Sequence, residues 1–412
     1  MRLSGIAIAS LLFVLPAQAQ QVQDWHICQE KERTTLGNHV RSCTAIIRSD
    51  RSSSRDKAVA YNNRGNFLRD RGELDRAIAD FDAAVRLEPK SADTYINRGI
   101  ARYRRGDLDR AVADYDEAIR LDPEDAYAYN DRGLALRAKG DLDRAIADHD
   151  QAIRLEPDTA AAYTNRGLAW QDKGDLDRAI ADFDNAIRLN SNDALAYNNR
   201  ALAWQAKGDL VRAVADFGEA IRSDPQFASA YANRARAWEK RGDFSRAIAD
   251  CRELIRLDPQ SAVAYLQRGR LLLFVGQLPS ALADLNRANE LAPNDAYVAL
   301  WLDIVGQRNS LTNRLAGATR LVDMSKWPAP IIHLYLGQST AEAVLAAADD
   351  PNPKTRDRQL CEANFFGGEL ALQRGDKGEA TQRLRQAAAR CPKAFFEYTA
   401  ANVELKTLGA SQ

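Results

Sequence analysis

The chain is 412 residues long, 45% hydrophobic and 28% charged, and its 57 basic residues are matched by 57 acidic ones. With no net charge and both signs mixed along its length, it carries no field to recruit nucleic acid or an anionic membrane surface. The composition suits a folded protein with a large wet surface, and the length alone suggests two or three globular domains. At the N-terminus, Arg2 is followed by an apolar run from Ile6 to Leu15 and by small residues at Ala17 and Ala19. This order reads as a secretory signal peptide over residues 1–19, with cleavage expected before Gln20. The run is too short to span a bilayer, and no later stretch approaches the ~20 apolar residues a span needs. No membrane span is therefore expected, and no cysteine stands at the cleavage site to accept a lipid. The mature chain is expected to be exported, most simply to a bacterial periplasm. Residues 20–57 are expected to form a helical cap.

From residue 58 one phrase returns every 34 residues. Tyrosine recurs at Tyr61, Tyr95, Tyr129, Tyr163, Tyr197, Tyr231 and Tyr265, and glycine at Gly72, Gly106, Gly140, Gly174, Gly208, Gly242 and Gly276. Proline closes every unit but the fourth, where Ser191 stands instead. Apolar residues at helical spacing make each unit two helices. The glycine ends the first helix, because it tolerates the left-handed conformation there. An acidic residue follows it, Glu73 or an aspartate such as Asp107 or Asp141, placed to cap the second helix or favourably charge its start. Ser91, Asp125, Thr159, Asp193, Ser261 and Asp295 are placed to cap the first helix of the next unit. Small residues, Gly65, Gly99, Gly133 and Gly167 facing Ala77, Ala111, Ala145 and Ala179, mark a close helix crossing that bulk would force apart.

A fixed 34-residue period with this residue order resembles the tetratricopeptide repeat (TPR). The resemblance implies an all-α TPR α-solenoid, a right-handed superhelix of helix-turn-helix repeats in which stacked hairpins share a concave face. Seven tandem repeats are placed at 58–91, 92–125, 126–159, 160–193, 194–227, 228–261 and 262–295. Degenerate helical hairpins are expected over 296–360, with "DDPNPKTRD" as a loop. A further repeat-like hairpin is placed at 361–394 and a capping helix at 395–412. The combination of tandem repeats with "WPAPIIHLYLG", "CEANFFGGELALQRGDKGEA" and "FFEYTAANVELKTLG" is similar to the NlpI-type lipoproteins of Gram-negative envelopes. That resemblance implies a scaffold that brings cell-wall endopeptidases together with a processing protease, and a possible homodimer through the C-terminal hairpins.

Five cysteines in an exported chain should pair where geometry allows. Cys361 and Cys391 stand at the two ends of one hairpin and are expected to form a disulfide. Cys28 and Cys43 are expected to staple the N-terminal cap, with zinc as the alternative because His26 and His39 lie close by. Cys251 and His149 stand where other repeats have Phe81, Tyr115, Phe183 or Phe217, so both read as core, and His333 reads as structural. The chain lacks the H-E-x-x-H, G-x-S-x-G and G-x-x-x-x-G-K-[ST] patterns. No enzyme activity, metal or cofactor is expected, and the partners are other proteins.

The most informative position outside the core is the sixth of each repeat: Asn63, Asn97, Asp131, Asn165, Asn199, Asn233 and Gln267. An amide offers both donor and acceptor, so it matches a peptide group whatever the side chain. The row resembles the asparagine ladder in the TPR domain of O-GlcNAc transferases, which implies that these residues hold an extended peptide on the concave face. An equally simple reading has them bonding neighbouring helices and keeping the stack in register. Each repeat also has arginine at place seven, Arg64 to Arg268, and aspartate at place 23, Asp80 to Asp284. These are expected to pair within or between repeats. The tyrosines and Trp170, Trp204 and Trp238 read as core stripes. An adaptor in secretion or polysaccharide assembly, or a direct binder of a glycan strand, are the alternative functions.

Overall fold

The computed structural model describes residues 17–29, 36–311, 315–393 and 395–410. The signal segment expected at 1–19 thus lies outside the described residues up to residue 16, as do 30–35 of the expected cap. The described residues are helical, without a strand. The chain divides into two compact units, Met1–Ser191 and Asn192–Gln412.

The first unit opens with α1 (Ala17–Gln29) and α2 (Leu36–Arg48), tied by a disulfide between Cys28 and Cys43 with Cα atoms 5.0 Å apart. Four hairpins follow: α3 (Ser54–Asp70) with α4 (Leu74–Leu87), α5 (Ala92–Arg105) with α6 (Leu108–Leu121), α7 (Ala126–Ala138) with α8 (Leu142–Leu155), and α9 (Ala160–Lys173) with α10 (Leu176–Leu189). The stripe Ala77, Ile78, Phe81 and Ala84 shows why α4 is a helix with one buried face. Its apolar residues recur every three or four positions and all are buried. At the crossing of α3 and α4, a Cβ added to Gly65 would come within 2.7 Å of the Phe81 ring. The absence of a side chain there is what lets the ring lie on the helix backbone. Gly106 ends α5 at φ 86°, and the next N–H, of Asp107, donates 2.9 Å back to the Arg102 carbonyl.

Most of the expected caps form. Ser91 and Asp125 accept backbone N–H bonds at the starts of α5 and α7, and Asp141 and Asp175 do so at α8 and α10. Thr159 does not cap α9, because its hydroxyl donates to the Glu156 carboxylate at 3.0 Å. Glu73 and Asp107 make no side-chain cap bond either. They act on the helix start by charge alone.

The second unit begins with hairpins α11 (Ala194–Ala206) and α12 (Leu210–Ser223), α13 (Ala228–Lys240) and α14 (Phe244–Leu257), and α15 (Ala262–Phe274) and α16 (Leu278–Leu291). The chain continues through α17 (Ala296–Arg308), the short α18 (Leu315–Ala318), α19 (Ala329–Tyr335) and α20 (Ala341–Ala347), then α21 (Pro353–Gln373), α22 (Lys377–Arg390) and α23 (Phe396–Thr407). Here the core is one large cluster centred on Trp301, which is fully buried and lies 5.4–5.9 Å from the rings of Phe365, Phe366 and Phe396. The expected loop "DDPNPKTRD" ends earlier than its composition suggests. Asn352 caps α21 by accepting from Lys354 and Thr355, and Pro353 takes the first helical position, where its missing N–H costs nothing. Cys361 and Cys391 are bonded across the α21–α22 hairpin, with Cα atoms 4.8 Å apart.

One packing pair departs from the rest. His149 fills the aromatic place beside Gly133, whose added Cβ would meet the imidazole at 2.6 Å. The ring is 0% exposed and neither nitrogen has a hydrogen-bond partner. Burial, with Arg137 and Arg166 adding to it, lowers its pKa to about 3 from the ordinary 6.5. The unfolded chain therefore takes up a proton below pH 6.5 that the folded chain refuses, and stability falls as pH drops from 6.5 towards 3. His149→Phe copies the Gly65–Phe81 pair. It should raise the urea midpoint of unfolding at pH 8, and at pH 5 should add a further advantage of about 2 kcal/mol. An advantage independent of pH would show that the imidazole is solvated in the native state. In the second unit, Cys361→Ser with Cys391→Ser opens a loop with a sequence separation of 30. The pair of changes should lower stability by about 3 kcal/mol and leave a reducing agent that much less to remove, whereas Cys251→Ser keeps both disulfides for it to break.

Candidate peptide-binding site

Place seven and place 23 meet in every repeat. Arg64, Arg98, Arg132 and Arg166 in the first unit, and Arg200, Arg234 and Arg268 in the second, each reach the place-23 aspartate of their own hairpin through Nη2 at 2.6–2.7 Å. Nε donates to the same carboxylate at 2.7–3.1 Å, so each pair is a two-pronged fork. The repeat's tyrosine, three residues earlier on the same helix, lies under the guanidinium at 5.3–5.8 Å. In the first unit the remaining donors reach the preceding element. Arg98, Arg132 and Arg166 bond Asp82, Asp116 and Asp150, the place-25 residues of the repeat before, at 2.6–2.7 Å, and Arg64 bonds the Thr44 hydroxyl of α2. Asp148 foremost, with Asp116 adding to it, holds the Arg132 guanidinium above its ordinary value against the opposing effect of burial. The expected pairing of place seven with place 23 thus forms within each repeat, and the link between repeats runs instead to place 25.

The sixth-place residues divide into three groups. The Asn97 amide donates 3.1 Å to Asn62 of the preceding repeat while its oxygen accepts from Arg69 at 3.0 Å. Asn165 donates to Asn130 and Asn233 to Asn198, both at 3.0 Å. These three are bound across a repeat boundary by an asparagine at place five. The fifth place carries asparagine only in alternate repeats, at 62, 130 and 198, with Ile96, Thr164, Ala232 and Leu266 between. That 68-residue alternation was present in the sequence but hidden beneath the 34-residue one. Asn63 and Asn199 are half-buried and make no side-chain hydrogen bond among the described residues. Their donor and acceptor capacity is unspent. Gln267 is buried. Asp131 is half-buried, and burial with a neighbouring Asp125 raises its carboxyl to about 6 against the opposing Asn130 and Arg69.

The aromatic stripes are less buried than their spacing implies. Trp170, Trp204 and Trp238 are half-exposed, and each is covered by an arginine of the following helix: Arg178 at 4.5 Å, Arg212 at 3.5 Å and Arg246 at 4.6 Å. The guanidinium groups occupy the faces on which a sugar or base would stack. Cys251 is fully buried and its thiol is pushed up to about 12, foremost by burial, so it is no nucleophile. With Cys28 and Cys43 disulfide-bonded, neither offers a thiolate to zinc. Among the described residues no group of three or more His, Cys, Asp or Glu could hold a metal ion. Nor is any helix among them long and apolar enough to cross a membrane.

Models of the tetratricopeptide repeat match residues 96–155, 130–194, 164–219, 199–262 and 239–300, and a TPR-repeat model matches 65–106. Among solved structures the chain is similar to a tetratricopeptide repeat protein from Parabacteroides merdae ATCC 43184, at 22% identity over 60% of this chain and 98% of that one, TM-score 0.45. It is also similar to PilF of Pseudomonas aeruginosa, at 22% identity over 54% and 99%, TM-score 0.45. YrrB, a TPR protein with an unusual peptide-binding site, matches at 21% identity over 45% and 95%, TM-score 0.39.

In the second unit the second carboxylate is missing at Gly218, where a Cβ would lie 3.6 Å from Arg234 Nη1. Gly218→Asp places there the acid that Asp82, Asp116 and Asp150 supply elsewhere. It should stabilise the unit by about 1 kcal/mol, part from helix propensity and part from the ion pair. Repeating the change in an Arg234→Gln background separates the two. An undiminished gain there would mean that the introduced carboxylate never engages Arg234.

Proposed function

We propose, from the premise that residues 65–300 of this chain are tetratricopeptide repeats, that it is a non-catalytic protein–protein interaction scaffold holding an extended peptide segment of its partners. The observation that carries this reading is the state of Asn63 and Asn199. Each is a half-buried amide on the first helix of its repeat, with its hydrogen-bonding capacity unspent. A peptide backbone supplies what such an amide lacks, at about 0.5–1.5 kcal/mol net per bond. The covered aromatic faces favour peptide over a glycan strand, since stacking on Trp170, Trp204 or Trp238 would first have to displace an arginine. Export to the periplasm follows from the signal-like order of Arg2, the apolar run and Ala17 and Ala19. The likeness of the C-terminal third to NlpI-type proteins points to cell-wall hydrolases or a processing protease as the proteins recruited.

Affinity capture from a periplasmic extract, read by mass spectrometry, tests this directly. Asn63→Ala with Asn199→Ala removes no internal hydrogen bond, so the variant should keep the parent's unfolding midpoint while recovering hydrolase or protease partners at least about fivefold less well, as the loss of two such bonds predicts. Asn97→Ala, by contrast, should lower stability by about 1 kcal/mol, because Asn62 and Arg69 lose their partner. Equal recovery with the parent and the Asn63/Asn199 bait would sink the amide-face reading.

A further inference from the structure

Two cavities of the second unit, of ≈ 520 and ≈ 530 Å³, share Lys240, Tyr398 and Thr399 in their linings and so form one groove. One side is the C-terminal helix α23, and the other is the ends of α11 and α13 with the starts of α12 and α14. The walls mix apolar side chains, Leu210, Phe244, Tyr398 and Val403, with hydroxyl and amide groups at Thr399 and Asn402.

Many cations of the second unit are matched, Arg212 with Asp209, Arg234 with Asp250, Arg256 with Glu253, Arg268 with Asp284, and Arg308 with Glu369 and Glu404. The cations of this groove are not. Lys240, Arg241, Lys393 and Lys406 line the groove and have no carboxylate within 4.0 Å among the described residues. The one acid of the lining, Glu239, is 8% exposed. Burial raises its carboxyl to about 7 and Glu397 of α23 adds to this, against Arg270 of α15 and Lys240 and Arg236 of its own helix. Glu239 is therefore a weak counter-charge for four cations.

We propose that this groove docks an acidic segment of a partner protein, with carboxylates paired to Lys240, Arg241, Lys393 and Lys406 and an apolar side chain lodged against Leu210, Phe244 and Tyr398. Charge complementarity sets the sign of the ligand, and the apolar wall sets its class. An acidic polysaccharide matches the cations but has no aliphatic or aromatic group for Phe244 and Leu210. The site rests on the reading of the chain as a protein-binding scaffold, but it is separate from the amide face. It belongs to α23 and the loop ends of the hairpins, not to the sixth place of the repeat.

The test is fluorescence anisotropy of the full chain with a labelled short peptide of glutamates and aspartates around one leucine and one phenylalanine. The comparison is the same peptide with glutamine and asparagine in place of its acids. The acidic peptide should bind at least about tenfold tighter than its amide counterpart, more weakly as salt rises. Lys240→Glu with Lys406→Glu should cost at least about tenfold in affinity. Circular dichroism checks the fold of the charge reversal; should it fail, Lys393→Glu and Lys406→Glu as single changes, both at exposed positions, give the same comparison. Equal binding of the two peptides, or an acidic peptide indifferent to the reversals, overturns the proposal. So does polygalacturonate binding tighter than the acidic peptide, which would make the groove a glycan site. A reversal that only splits a dimer in sedimentation overturns it in favour of a second copy of this chain. If these fail while capture through Asn63 and Asn199 persists, the groove alone is lost and the scaffold stands.

Discussion

The arginine at place seven is the point where three elements of the stack are joined. Its guanidinium rests on the tyrosine of its own helix, forks onto the aspartate of its partner helix, and in Arg98, Arg132 and Arg166 reaches a carboxylate of the hairpin before. An isolated charge in such a half-buried place would be costly, and removing one partner of a buried pair typically costs about 3–5 kcal/mol. Every component therefore constrains the others. The tyrosine sets where the arginine can lie, the two acids set its orientation, and the hairpin crossing sets the distance between them. That crossing depends in turn on the bare backbone of Gly65 or Gly133 under a ring.

In the second unit the ionic link between repeats weakens and apolar packing replaces it. Place 25 holds Gly218, Arg252 and Asn286 where the first unit has aspartates, so Arg234 and Arg268 keep only their own-hairpin partner. The compensating element is the cluster around Trp301, which draws on α13 to α17 and on α21 to α23. Burial there is deep enough to trap charge. Glu362 accepts from the Tyr297 hydroxyl and the Trp327 indole, and Glu369 and Glu404 share the Arg308 guanidinium. Burial lifts the Glu362 and Glu369 carboxyls to about 7 even so. These acids hold the degenerate helices in one arrangement, a role the repeated fork performs elsewhere.

What was legible in the sequence follows from this division. A chemical role repeated every 34 residues announces itself, so the helical hairpins, the glycine at φ 86° after α5 and the pairing of place seven with place 23 could all be read in advance. Features that occur once could not. Nothing in "DDPNPKTRD" says that Asn352 caps a helix starting at Pro353, because Asn-Pro favours a turn and a helix start equally. Thr159 looks like a cap until the nearby Glu156 carboxylate takes its hydroxyl. In the stripe of Trp170, Trp204 and Trp238 the last two pack against core clusters, yet all three stay partly exposed, because spacing reports which face a residue occupies, not whether an arginine or a leucine covers it. Half of the amide row was opaque for the same reason. Asn97 and Asn63 look identical in register, and only the residue at place five of the neighbouring repeat decides which of them is already bonded.

A chain with equal numbers of acids and bases can still be specific, provided that many of its charges are committed to one another. Each fork removes one cation and one anion from what a partner can sense, and the i,i+3 pairs such as Arg120 with Glu117 remove more. The arginines over the tryptophans likewise withdraw the aromatic faces. Among what is left are amides with unspent bonds at Asn63 and Asn199, and four unmatched cations gathered in the groove beside α23. A solenoid whose interior chemistry were less strictly paired would present many weak sites along its length, all alike. The amides with unspent bonds and the cations gathered along one groove are chemically distinct from the repeated forks, which is the condition for one repeated fold to present particular surfaces to particular partners.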